Sequence, residues 1–269
     1  MTISLEQIKK LREISGAGMG DCRNALIEAA GDLDKAVDVL RKKGIAKAAK
    51  RSDREAGEGL IKIAINEAGN EGYLIDLRAE TDFVVLSEQF QNFSNQVIKL
   101  AAAARPQNLE ELLGLSMSGR TVKETLENLS GIVGEKMEIK RYAIVASAGS
   151  VAAYSHAGGR IGVLVAINRS GEAELAREIA MQVAAANPQY INPEDVPASA
   201  LDKEKEIYRE QLLAEGKPEG MLEKIMVGKL SKFYEEVCLT KQEYIKDDKK
   251  KVADILSGAV VEKFVRFNI

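Results

Sequence analysis

Thr81-Asp82-Phe83-Val84 follows a predicted strand, Tyr73-Leu74-Ile75-Asp76-Leu77, and precedes a predicted helix. The helix is predicted because apolar residues recur at helical spacing between Gln89 and Ala101. Phe83 therefore lies near a turn, where a ring left in water forfeits about 1.5–3 kcal/mol that burial would provide. Two interpretations follow: either Asp82 caps the helix and Phe83 packs into its own core, or Phe83 is a probe for another protein.

The composition indicates a soluble globular protein with more than one domain. The chain has 269 residues, of which 45% are hydrophobic and 29% are charged. No apolar run approaches the ~18 residues of a membrane span. Met1-Thr2-Ile3-Ser4 lacks the charged start and apolar stretch of a signal peptide. We therefore expect a cytoplasmic protein, either bacterial or the mature form of an organellar one.

The cysteines and the charge distribution carry little functional signal. Cys22 and Cys238 are far apart in sequence and share no metal-ligand spacing, so neither a disulfide nor a metal site is expected. The net charge is −3, and residues 1–56 carry 12 Lys+Arg against 9 Asp+Glu. This basic excess is too small to predict specific binding of nucleic acid, which usually needs a clustered basic stripe.

Three short helices are predicted in residues 1–45. The first follows Ser4 as its N-cap, and the helices end at Gly16, Gly31 and Gly44. A bundle of this size resembles ubiquitin-associated (UBA-like) modules, which usually serve as docking surfaces. Residues 46–57 are polar and basic, without an apolar face, and are predicted to form a linker; a nucleic-acid-binding arm is the alternative.

The rest of the chain is predicted to use one β-hairpin and helix plan twice, which gives an α+β fold. The first copy forms a core N-subdomain at 58–140, with strands near Leu60–Ile65 and Tyr73–Leu77. The second forms a core C-subdomain at 141–269, with a hairpin near 151–167, a helix near 174–186 and a closing strand from Gly258 to Ile269. We expect two related subdomains with a cleft between them.

A helical hairpin is predicted within the second subdomain, at about 197–237. Two apolar stripes flank Gly216-Lys217-Pro218, as in an antiparallel, coiled-coil-like pair of helices. Such a pair has little core of its own. It is expected either to project from the body towards another molecule or to pack flat on its own domain.

The sequence offers poor support for enzymatic chemistry. The single histidine, His156, has no cysteine, serine or carboxylate in local register. The following Ala157-Gly158-Gly159-Arg160 lacks the Lys-Ser/Thr of a phosphate loop and precedes a strand rather than a helix. We therefore expect no enzyme with covalent or metal-assisted chemistry, no cofactor, no metal and no direct nucleotide binding.

A series of short motifs runs in order along almost the whole chain. They are Leu11-Arg12-Glu13, Gly16-Ala17-Gly18-Met19, Asp21-Cys22, Ala25-Leu26, Thr81-Asp82-Phe83-Val84, Arg160-Ile161-Gly162-Val163-Leu164-Val165 and Phe264-Val265-Arg266-Phe267. Together they resemble the elongation factor Ts family, which promotes guanine-nucleotide exchange on the GTPase elongation factor Tu. The resemblance favours Phe83 as a probe for that partner.

The resemblance also implies roles for individual residues. Thr81, Asp82, Phe83 and Val84 form the exchange wedge, in which Asp82 and Phe83 intrude beside the magnesium and nucleotide site of the GTPase. The implied partner-binding residues are Arg12 and Met19 on its GTPase domain, and Val133, Gly134, His156 and Ile245 on another of its domains. Gly20 departs from the bulky residue common in the family, so a smaller N-terminal contact is expected.

Several alternatives stay open at the level of sequence. The complex with elongation factor Tu could be a heterodimer or a dimer of heterodimers. The protein could instead be an adaptor that uses the N-terminal bundle and the basic segment without exchange activity. Met19 could belong to the core of the bundle rather than to a contact surface.

Overall fold

The computed structural model of the chain describes residues 3–49, 51 and 53–269. Its helices are α1 (Leu5–Ser15), α2 (Met19–Glu28), α3 (Leu33–Ala49), α4 (Asp82–Leu86), α5 (Glu88–Ala104), α6 (Leu109–Gly114), α7 (Val122–Val133), α8 (Ala173–Ala186), α9 (Ala198–Ala214), α10 (Glu219–Val237) and α11 (Val252–Leu256). Its strands are β1 (Glu58–Ile65), β2 (Glu71–Ala79), β3 (Ser116–Met117), β4 (Arg120–Thr121), β5 (Met137–Ala146), β6 (Ser150–His156), β7 (Ile161–Ile167), β8 (Glu243–Tyr244), β9 (Asp247–Lys251) and β10 (Val261–Asn268). This mixture of helices and antiparallel strands confirms the α+β prediction.

Two antiparallel three-stranded sheets share one topology. The first has the order β1-β2-β5 and the second the order β10-β7-β6. In each sheet the second strand of a hairpin lies in the centre, and the third strand pairs with its free edge. Strand β5 runs through positions 140 and 141, so the first sheet continues to Ala146. The division into two related subdomains stays a prediction.

The sheets pack face to face between two layers of helices. Alternation along β2 divides its side chains: Tyr73, Ile75 and Leu77 face the helical layer that contains α5, whereas Leu74 faces the second sheet. The sheets approach closely at Gly162 of β7, where an added Cβ would lie 2.4 Å from Cγ2 of Ile61. Strand β2 is consequently buried on both faces, which explains its nearly continuous apolar sequence.

A buried ion cluster joins β2 and β5 to the end of the last strand. The Asp76 carboxylate is fully buried and accepts hydrogen bonds from Arg78 Nε at 2.6 Å and Arg141 Nε at 2.8 Å. Both arginines also donate to the backbone carbonyl of Asn268, at 2.9 and 2.7 Å. The cluster satisfies a charge that would otherwise be costly to bury.

The N-terminal helices α1, α2 and α3 pack around their own core, which includes Leu11, Cys22 and Leu26. The prediction that the third helix ends at Gly44 is wrong, because α3 continues to Ala49. Gly44 lies where α3 crosses α7, and an added Cβ on Gly131 of α7 would lie 2.5 Å from Gly44 Cα. Gly44 therefore serves close helix packing, and this tertiary contact overrides its weak helix propensity. The UBA-like assignment stays a prediction.

The predicted linker at 46–57 is helical in its first part, since α3 includes residues 46–49. Lys50 and Ser52 of that segment lie outside the described residues. Further along, Arg51 donates to the backbone carbonyl of Ser130 at 3.2 Å, and Arg54 forms an ion pair with Glu80 at 3.2 Å. These contacts attach the segment to the first sheet and its helical layer.

The expected helical hairpin is formed by α9 and α10. Lys229 of α10 donates to Gln211 of α9 at 3.3 Å and lies 5.2 Å from the centre of the Tyr208 ring. Because residues 215–218 are the whole connection between them, the two helices run antiparallel. A small apolar cluster that includes Val196, Val237 and Cys238 lies at its base. Farther along the hairpin, Leu213, Met221 and Val227 are exposed.

Candidate partner-binding site

The turn after β2 presents two large apolar side chains to solvent. Phe83 is 83% exposed and Leu86 is 75% exposed, although both belong to the one-turn helix α4. Val84 and Val85 of the same helix are buried in the core beneath α5. The interpretation in which Phe83 packs into its own core is therefore wrong. The two buried valines fix the helix, and the side chains of Phe83 and Leu86 point to solvent.

Hydrogen bonds fix both ends of α4. The capping residue is Thr81 and not Asp82, because the Thr81 hydroxyl accepts a hydrogen bond from Val84 N at 3.4 Å. At the other end Ser87 separates α4 from α5: its Oγ donates to Val84 O at 2.7 Å and accepts from Phe90 N at 3.3 Å. The single helix expected here is thus divided, and the exposed Asp82 is left on the outer surface beside Phe83.

Two glutamates connect this turn to the end of α7. Glu135 accepts hydrogen bonds from Thr81 N at 3.0 Å and from Thr81 Oγ1 at 2.8 Å. Glu80 accepts from Lys136 N at 2.6 Å. This backbone hydrogen bond, together with the Arg54 guanidinium, lowers the pKa of Glu80 below its ordinary value. The start of the predicted wedge is consequently bound to a segment distant in sequence.

Val133 and Gly134 lie directly before that segment. Val133 is the last residue of α7, and Gly134 ends the helix in a left-handed conformation with φ 89°. Both residues are half-buried. Because the next residue, Glu135, accepts hydrogen bonds from Thr81, Val133 and Gly134 lie next to the predicted wedge.

Arg12 and Met19 come together on the N-terminal helices. With Lys9 and Glu13 they line one shallow surface depression. Arg12 is exposed, whereas Met19 is half-buried and packs partly against the core of the three helices. The two interpretations of Met19 are thus compatible. Gly20 is exposed with no heavy atom within 4 Å of an added Cβ, so this surface has room for the larger side chain that it lacks.

His156 and Ile245 lie on other elements. His156 ends β6, where its ring stacks on that of Tyr154 and its Nδ1 lies 3.1 Å from the Tyr154 hydroxyl. Ile245 lies between β8 and β9 with its side chain exposed, and its backbone N–H donates to Gln182 at 2.9 Å. The structure does not gather all the predicted partner-binding residues at one point.

Two observations on the described residues concern metal binding and the reactivity of Cys238. No group of three His, Cys, Asp or Glu side chains in this part of the chain could hold a metal ion. Burial raises the pKa of the Cys238 thiol to about 11, so it is neutral near pH 7. Among the helices of residues 3–49 and 53–269, none is both long and apolar enough to cross a membrane.

Two features of the site were absent from the sequence prediction. The exposed Leu86 could have been suspected, since it lies one helical turn after Phe83. Glu135 left no signal in the sequence, because its contact with Thr81 spans 54 residues and depends on the packing of α7. Local patterns do not report such pairs.

The fold and the site define an α+β protein whose candidate site is an exposed apolar and acidic turn. The model of the family described as elongation factor TS matches residues 80–269. Elongation factor Ts of Chlorobaculum tepidum is 43% identical over 99% of this chain and 98% of its own length. Elongation factor Ts of Chlorobium phaeobacteroides is 44% identical over 99% of this chain and 98% of its own length. That of Clostridium perfringens is 42% identical over 98% of this chain and 92% of its own length. The chain belongs to the elongation factor Ts family of translation elongation factors.

Proposed function

We propose that this protein promotes the release of GDP from elongation factor Tu, with Phe83 as the displacing side chain. The observation that supports the proposal is the 83% exposure of Phe83 on a helix held by buried neighbours. A large exposed apolar side chain beside an exposed carboxylate gives a partner both an anchor and a charge. The half-buried pair Val133 and Gly134 would extend the contact around the wedge.

The proposed mechanism is displacement without covalent chemistry. The partner's Mg²⁺ requires nearly ideal octahedral oxygen ligands, so a shift of one partner element by about 1 Å spoils its coordination and weakens GDP binding. Phe83 supplies the apolar wedge, and Asp82 places a negative charge beside the ligands of that ion. Arg12, Met19, His156 and Ile245 act as additional partner contacts, which hold the factor in place while the wedge enters.

The same coupling makes the complex transient. Coupling between two binding sites is reciprocal, so a factor that weakens GDP binding is itself bound more weakly when GDP is present. Nucleotide therefore releases the factor from elongation factor Tu after exchange. Binding of GTP in place of GDP returns the GTPase to the form that serves translation.

The proposal is tested by timing the loss of fluorescent GDP from elongation factor Tu after mixing with the factor. Phe83→Ala should slow the release by about tenfold or more, the effect expected for a central apolar anchor. Val260→Ala is the control, because Val260 is also an exposed apolar residue. An unchanged rate with Phe83→Ala would reject the wedge and leave the adaptor interpretation.

A further inference from the structure

Glu135 is half-buried and contacts Thr81, the first residue of the proposed wedge. Its two carboxylate oxygens accept from one residue: Oε2 from the backbone N–H of Thr81 at 3.0 Å and Oε1 from its hydroxyl at 2.8 Å. Hydrogen bonds to an ionised carboxylate are roughly twice as strong as those between neutral groups. Thr81 is thus held by its backbone and its side chain at once.

The carboxylate also sets the direction of the Thr81 hydroxyl. A threonine hydroxyl has one proton to donate and two lone pairs that accept. Because the proton points to Glu135, a lone pair is left for Val84 N, the capping contact that starts α4. Glu135 therefore both holds Thr81 in place and orients its hydroxyl as the N-cap of α4.

Glu135 is itself fixed by its neighbours. The Ser130 hydroxyl donates to its backbone carbonyl at 2.6 Å, and Gly134 before it closes α7 with a hydrogen bond to Ser130 O. On its other side Lys136 N donates to Glu80, the residue before Thr81. The pairs Glu80-Thr81 and Glu135-Lys136 thus form a reciprocal clamp of three hydrogen bonds.

A helix as short as α4 needs such support. Its residues, Asp82–Leu86, make about one turn, and isolated helices of this length are unstable in water. Burial of Val84 and Val85 fixes the inner side of the turn. The N-terminal end, from which Asp82 and Phe83 project, depends on the hydrogen bonds of Thr81.

We propose that Glu135 is a positioning residue for the exchange wedge, which keeps α4 formed and Phe83 aimed outwards before the partner arrives. This inference rests on the proposed function of Phe83. Preorganisation removes an ordering cost that would otherwise be met during binding. If only part of the population holds the wedge ready, the rate of displacement falls to that fraction of its full value while the other contacts persist.

The test uses the full chain with Glu135→Gln. Glutamine preserves size but is neutral and has an NH₂ donor in place of one carboxylate oxygen, so Thr81 N–H and Thr81 O–H no longer meet an ionised acceptor on separate oxygens. We expect the maximal rate constant of GDP release to fall about tenfold, which corresponds to about 1.4 kcal/mol. The factor concentration that gives half of that maximum should change by less than about twofold, because the remaining contacts are intact. A loss caused by general unfolding would instead reduce the active fraction and lower the melting temperature.

Matched variants separate positioning from other effects. Thr81→Val retains the shape of the side chain but removes the hydroxyl that donates to Glu135, and should resemble Glu135→Gln. Glu138→Gln is the control, since this nearby carboxylate pairs with Lys136 Nζ at 3.3 Å and has no described contact with Thr81. In a Phe83→Ala background, Glu135→Gln should cause no further loss.

A second readout needs no partner. Amide hydrogen exchange of the segment around Thr81 and Val84 should be faster in Glu135→Gln than in the original protein or in Glu138→Gln. If Phe83→Ala slows GDP release but Glu135→Gln changes neither the maximal rate nor the amide exchange, the positioning role is rejected and the proposed function stands. If Phe83→Ala has no effect on release, both proposals fail together.

Discussion

Phe83 and Phe90 show how the same side chain has opposite physical roles on consecutive helices. Phe90 of α5 is 1% exposed within the core beneath the first sheet, whereas Phe83 of α4 is 83% exposed. Burial of a phenylalanine ring contributes about 1.5–3 kcal/mol relative to exposure. Phe83 makes almost none of this contribution, so its presence is better explained by binding than by folding.

This contrast predicts different responses to truncation. Phe83→Ala should change the free energy of unfolding by less than about 0.5 kcal/mol, as for other surface substitutions. Phe90→Ala should lower it by about 3–5 kcal/mol, because it removes buried surface and leaves a cavity. Urea denaturation followed by circular dichroism measures both values. A large loss of stability in Phe83→Ala would show that the ring packs in solution and would remove the basis for the wedge.

At the scale of elements, local periodicity predicted the N-terminal helices, both β-hairpins of the sheets, the helical hairpin and the last strand, but it missed β5 and α7 and the contacts that modify the predicted elements. The hairpins and α8 followed from apolar alternation and helical spacing, both of which are local signals. The break at Ser87 was missed, because the helical pattern of α5 gives no sign of a preceding separate turn. The continuation of α3 past Gly44 was missed for a different reason: glycine usually ends a helix, but here it permits a close crossing with Gly131.

That crossing predicts opposite effects for two Gly→Ala substitutions within helices. Gly228 of α10 has no heavy atom within 4 Å of an added Cβ, so Gly228→Ala should stabilise the protein by up to about 1 kcal/mol through helix propensity. Gly131→Ala gains the same propensity, but its Cβ would lie 2.5 Å from Gly44 Cα. The helices must then separate, at a net cost of about 1–3 kcal/mol. Urea denaturation gives both values, and faster amide exchange confined to α3 and α7 would locate the damage. Equal stabilisation by the two substitutions would contradict the close crossing.

At the scale of the whole molecule, one exposed ion pair and one buried ion cluster link the two sheets. Glu58 of β1 pairs with Arg160, just before β7, at 3.0 Å, with both side chains substantially exposed. The Asp76 cluster, in contrast, holds its carboxylate away from solvent and binds the end of β10 through Asn268. Asp76 lies within the stretch predicted as a strand, but the sequence did not indicate its burial. Its partner Arg141 and the Asn268 carbonyl, which accepts from both arginines, come from distant strands.

Replacing the carboxylate of each link by an amide should lower the free energy of unfolding by very different amounts. Asp76→Asn leaves Arg78, only 7% exposed, without its carboxylate, and should lower the free energy of unfolding by about 3 kcal/mol. This value is at the low end of the range for breaking a buried ion pair, because Arg141, the second arginine of the cluster, reaches solvent. Glu58→Gln should cost no more than about 1 kcal/mol, since solvent already screens that pair. Urea denaturation compares the two variants, and amide exchange along Val261–Asn268 should increase only in Asp76→Asn, because only that cluster holds the carbonyl of Asn268. Similar small losses in both variants would mean that apolar packing between the sheets, and not the buried cluster, attaches the last strand.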